Sequence, residues 1–125
     1  MKSRDSLIRL KRFHADEKRR QVAQMEAMIA EFERMAKELD DQIRAEQDRS
    51  GIHDVGHFAY PTFAKAAMQR RDNLKVSADD LRAQLATAVA ELDEAVADLQ
   101  KAEAIAERDS LIERNAATQG IAASR

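Results

Sequence analysis

From Val22 to Ile43 the apolar residues Val22, Met25, Ile29, Phe32, Ala36, Leu39 and Ile43 follow one another at steps of 3, 4, 3, 4, 3 and 4. That is the heptad rhythm of a coiled-coil helix, and it is incompatible with a strand, whose apolar period is two. A second seam repeats the rhythm: Leu74, Ala78, Leu81, Leu85, Ala88, Leu92, Ala95, Leu99, Ala102 and Ala106. Each seam has to be buried against the other or against a partner. The expected fold is all-α, a long antiparallel two-helix coiled-coil hairpin with a short loop near residues 51–60. Such a fold has almost no interior, so function is expected on its surfaces.

Composition agrees with this reading. Charged residues make up 35% and aromatics 4% of the chain, with only three Gly and one Pro to turn it, which is the profile of long helices. The first helix is expected over about residues 3–49, with Ser3 as N-cap and Asp5 in the first turn, where a negative charge suits the helix dipole. Gly51 suits the left-handed position after the helix. Residues 50–60 read as a loop, and Pro61 fits the first turn of a second helix running to about residue 115. Residues 1–115 then form a single hairpin, and the small, polar stretch 116–125 is expected to be a flexible tail. Each helix would span roughly 70–80 Å. The absence of Cys leaves no disulfide framework and no thiolate metal site. No apolar run has the length of a signal peptide or membrane span, so a cytoplasmic protein is expected.

Charge decides the orientation of the helices. Residues 1–20 carry eight basic and three acidic side chains, and residues 26–48 carry three basic and eight acidic. Residues 65–82 hold five basic and three acidic, and residues 91–109 hold two basic and seven acidic. Folding the chain about residue 55 sets position i near 110 − i, and each basic block then lies beside an acidic one. A parallel in-register dimer would set each block against its own copy, which charges flanking a seam disfavour. The Leu/Ala seam of the second helix also suits the bulkier seam of the first, small residues facing large ones.

Several apolar residues lie off the seams. Met28 and Met35 flank the first seam, either covering the hairpin groove or offering an adaptable protein-binding surface. The seam phase, extended backwards, passes through Ile8, Lys11, Ala15 and Lys18. Leu10 and Phe13 would then point outward beside Arg9, Lys11, Arg12, Lys18, Arg19 and Arg20, as a docking strip for an acidic partner. A local stutter would instead return Leu7, Leu10 and His14 to the seam. Phe58, Tyr60 and Phe63 crowd the hairpin tip, either as a cap with Ile52 and Val55 or as a sticky binding tip. Two readings stand for each of these clusters.

His53, Asp54 and His57 suggest a metal site, but they lie in a loop without a clear third and fourth ligand, so solvated loop residues are the expectation. No phosphate loop, catalytic triad or buried carboxylate pair can be assembled. Neither enzymatic activity nor a cofactor is expected. The net charge of −2 gives no global basic field for nucleic acid.

The opening MKSRDSLIRLKRFHADEKRRQVAQ, the tip segment GIHDVGHFAYPTFAKAAMQRRDNL and the two seams together resemble FliJ, the flagellar export component. The likeness is to its compact alphaproteobacterial branch and covers about residues 1–115. It implies an antiparallel coiled coil similar to the central stalk of rotary ATPases. It also implies a role in type III export: binding and stimulating the hexameric export ATPase, contacting the export-gate membrane protein, and interacting with export chaperones. The implied location is the cytoplasmic side of the inner membrane at the flagellar basal body, with the membrane met only through the gate. Carried over by region, the ATPase-facing residues are Leu7, Arg9, Leu10, Arg12 and Phe13 with Leu111 and Ile112. The gate- or chaperone-facing residues are Phe58, Tyr60, Phe63 and Met68. The alternatives are a self-assembling structural coiled coil and a nucleic-acid binder using residues 1–20.

Overall fold

The structure, a computed structural model, describes the backbone of residues 2–123 and the side chains of residues 3–120. It is a helical hairpin made of α1 (Lys2–Ser50) and α2 (Thr62–Ala123), with no strand among the described residues. The chain packs as two compact units. Among the described residues, the first combines 2–21 with 88–123, and the second is 22–87.

The helix ends follow local chemistry. α1 already begins at Lys2, so Ser3 lies inside its first turn and does not cap it as expected; Asp5 does sit in that turn. At the other end Gly51 takes φ +75° and its N–H donates to the carbonyl of Gln47 at 2.8 Å. This is the left-handed cap that releases the chain from a helix, and glycine adopts it without the steric cost of a Cβ. The Ser50 hydroxyl adds a bond to the same carbonyl at 3.2 Å and accepts one from the Ile52 N–H at 3.2 Å. Pro61 stands just before α2, and its carbonyl accepts the first helical bond, from the Lys65 N–H at 3.2 Å. It therefore acts as the cap, one residue ahead of the expected first turn. α2 also outlasts its expected end near residue 115 and continues to Ala123. Ala116 and Ala117 favour helix, and the Thr118 hydroxyl donates to the Arg114 carbonyl at 2.9 Å. Residues 124 and 125 lie outside the described residues.

In the second unit the α1 seam is used as its rhythm requires. Val22, Ile29, Ala36, Leu39 and Ile43 are buried, and Met25 and Phe32 are half-buried. From α2 come buried Ala78 and half-buried Leu74, Leu81 and Leu85. The seam of α2 starts earlier than Leu74, because Ala64 and Ala67 are also buried, and Tyr60 of the preceding loop is buried ahead of them. Leu39, Ile43 and Ala67 form a core cluster with Met68 and Leu74 packed on it. Full burial of a side chain the size of Leu or Ile contributes about 1.5–3 kcal/mol, so this unit rests on its apolar seam.

The first unit has a thinner core. Ala15, Ala95 and Leu99 form its buried cluster, with Ile8 and Val96 packed against it. Ala88 is buried, and Leu92, Ala102 and Ala106 are half-buried. No described helix is long and apolar enough to cross a membrane.

Candidate interaction surfaces

The phase of α1 does not slip at its start. Ile8, Lys11 and Lys18 are half-buried and Ala15 is fully enclosed, while Leu7, Leu10 and His14 are exposed. A stutter is thereby ruled out. The side chains of Leu10 (63% exposed) and Phe13 (60%) project away from the seam, with Arg9 and Arg12 exposed beside them. Helical spacing puts Arg9, Leu10, Phe13 and Arg20 on one outward face. Among the described ion pairs of residues 3–20, Arg4, Lys11, Lys18 and Arg19 are engaged, whereas Arg9, Arg12 and Arg20 have no partner. Two apolar side chains framed by uncommitted guanidinium groups can dock on an apolar notch rimmed by carboxylates.

On α2 of the same unit Ile105, Leu111 and Ile112 are exposed. Leu7, Ile8, Ala102 and Ile105 line an open groove whose rim carries Arg4, Lys11, Asp98, Lys101 and Asp109. Leu7 therefore belongs to a groove between the helices, separate from the outward strip of Leu10 and Phe13.

Ion pairs in both units join basic and acidic blocks of opposite helices, close to the i and 110 − i correspondence. In the first unit Lys18 reaches Glu91 at 2.8 Å, Lys11 reaches Asp98 at 4.0 Å, and Arg4 reaches both Asp109 and Glu113 at 3.6 Å. The hydrogen bond from Lys18, with its charge, holds the Glu91 carboxyl below the usual range. In the second unit Arg71 donates to Asp40 at 2.9 Å, and Arg82 pairs with Glu33. The Arg71 guanidinium is pushed up, mainly by its bond to Asp40.

The tip divides into a buried and an exposed part. Tyr60 is 6% exposed; its hydroxyl accepts from Gln47 Nε2 at 2.9 Å and donates to Met68 Sδ at 3.7 Å. Tyr60 and Met68 thus close the end of the second unit, and Ile52 is half-buried nearby in sequence. Phe58, in contrast, is 97% exposed, and Phe63 and Val55 are exposed too. The Phe58 ring stacks on His57, with centroids 4.7 Å apart and planes at 22°. His57 is tied in turn: its Nδ1 accepts the Ala59 N–H at 3.0 Å. Asp54 accepts the Gly56 N–H at 3.0 Å through its side chain, and its carbonyl accepts the His57 N–H at 3.0 Å. His53 Nε2 lies 3.1 Å from Asp48 Oδ1. The three polar residues that suggested a metal site are thus occupied with shaping the loop. No group of three or more potential ligands gathers among the described residues. Met28 is exposed, whereas Met35 is half-buried in a groove with Leu74.

Two features escaped the sequence reading. The line from the loop residue Tyr60 into Ala64 and Ala67 of α2 has the right steps of 4 and 3, but Arg71 interrupts its apolar character. Arg4 continues the seven-residue line of Lys11 and Lys18, and that spacing was its available signal.

These surfaces belong to a class of protein: a charge-matched antiparallel helical hairpin with a basic, apolar outward strip and an aromatic tip. Comparison with protein-family models, with curated proteins and with solved structures returned no match.

Proposed function

We propose that this hairpin is a non-enzymatic adaptor of the flagellar type III export apparatus, similar to FliJ. In this reading Leu10, Phe13, Arg9 and Arg12, with Leu111 and Ile112, bind and stimulate the hexameric export ATPase. Phe58 and Phe63 reach toward the export gate or an export chaperone, and the protein works on the cytoplasmic side of the basal body. The observation that carries the reading is the outward strip of α1. Leu10 and Phe13 are held off the seam beside Arg9 and Arg12, which enter none of the ion pairs among the described residues. A helix that needed only to complete its own hairpin would place polar residues there. The hairpin fold and the resemblance of the opening and tip segments support the same reading. The use of both apolar seams within the hairpin favours an adaptor over a self-assembling coiled coil.

The test is a pull-down and an ATP-hydrolysis assay with the cognate export ATPase. The native chain should bind and raise turnover, and L10D with F13D should lose both effects while keeping helical content. Absence of binding and of stimulation at micromolar protein would sink the ATPase part of the proposal.

A further inference from the structure

The basic residues at the start of α1 are not scattered. Arg4, Lys11 and Lys18 stand seven residues apart on one line of the seam, and the same line continues as Met25, Phe32 and Leu39. The line is thus cationic in the first unit and apolar from Met25 to Leu39 in the second, before it ends at Glu46, which pairs with Arg49. Each cation is half-buried, and each meets a carboxylate of α2: Lys18 with Glu91, Lys11 with Asp98, and Arg4 with Asp109 and Glu113. The aliphatic stems cover the seam while the charged heads reach its edge, where water and salt have access. Between the rungs the buried apolar cluster is Ala15, Ala95 and Leu99, two of the three being alanines. Ile8 and Val96 pack against this cluster and Leu92 is half-buried, so the apolar seam here is thin, and the ion pairs carry a larger share of closure than they do in the second unit.

We propose that the first unit is a releasable electrostatic latch. Its two helical segments, residues 3–20 and 88–113, separate as a unit when the ladder is screened, while the second unit stays closed on its apolar seam. Opening uncovers the α1 line of Arg4, Lys11 and Lys18, together with Ile8 and Ala15, and frees the carboxylates of α2. A hairpin that needed only to remain closed would carry apolar residues on this line, as the second unit does at Met25, Phe32 and Leu39. Lys and Arg there give up stability and make closure depend on ionic conditions.

Hydrogen–deuterium exchange on the full chain tests this, comparing low salt with about 1 M salt, where screening extends only about 3 Å. The decisive amides are those of residues 88–100, which lie away from the chain end and therefore report latch opening and not terminal fraying. Loss of the four partly exposed ion pairs made by these three cations should speed their exchange about tenfold. Residues 29–43 should stay within about twofold of their low-salt rate. In the variant combining K11L and K18L, exchange over 88–100 should slow, and its response to salt should largely disappear. Equal acceleration in both units, no acceleration in either, or a salt response kept by the variant would overturn the proposal.

Discussion

At the tip, two aromatic residues two positions apart have opposite environments. Tyr60 is buried with its hydroxyl bonded to Gln47 and Met68, whereas Phe58 stands in solvent against His57. Tyr60→Phe keeps the ring but leaves the Gln47 amide without its partner, and should cost about 1 kcal/mol in urea denaturation. Phe58→Ser removes an exposed side chain and should change stability by no more than about 0.5 kcal/mol in the same measurement. If Phe58 is a docking residue, that variant should still weaken capture of the export-gate cytoplasmic domain in a pull-down. Equal losses of stability in the two variants would show that the tip is a single cap. The sequence made the cluster visible but not its division. Which ring turns inward depends on hydrogen bonds that the loop makes only when folded.

At the scale of elements, the ends of the helices were legible where a special residue marks them. Gly51 is such a case, because its φ of +75° is one that L side chains rarely adopt. Gly51→Ala meets no neighbouring atom within 4 Å, so its cost is conformational, about 1 kcal/mol. Thermal unfolding followed by circular dichroism should register it as a lowered midpoint without loss of helix content. The start of α1 and the end of α2 were less legible. Ser3 has the chemistry of a cap, but helical geometry begins one residue earlier. The small residues after Asn115 suggested a loose tail, yet alanines also sustain a helix once one is running. Capping and tail compositions are local preferences, and a long preceding helix outweighs them because each added turn needs no new nucleation.

At the scale of the whole molecule, charge organises behaviour. The carboxyls of Glu31, Glu46 and Glu91 are depressed below their ordinary value near 4.5 by hydrogen bonds from Arg34, Arg49 and Lys18 respectively. A depressed carboxyl contributes stability above its unfolded pKa and loses it as pH falls through the folded one. Arg34, Arg49 and Arg71 are shifted up, mainly by bonds to Glu31, Glu46 and Asp40, and their contribution lasts until strongly alkaline pH. The thermal midpoint should therefore be flat from about pH 6 to 9 and fall below about pH 4.5. A midpoint that rose on acidification would contradict this assignment. Among the three carboxyls only Glu91 bridges α1 to α2, through Lys18, so acid should loosen residues 88–100 before residues 29–43. By itself the sequence determined the two helices, their antiparallel sense and the pairing of charge blocks, because periodicity and block charge are properties of position along a chain. Only the tertiary structure decided that Leu10 and Phe13 face outward, that Tyr60 seals while Phe58 projects, and that Arg4, Lys11 and Lys18 form a ladder. Those outcomes depend on which side of each helix meets the other, and helical phase leaves that open wherever charged residues occupy the seam.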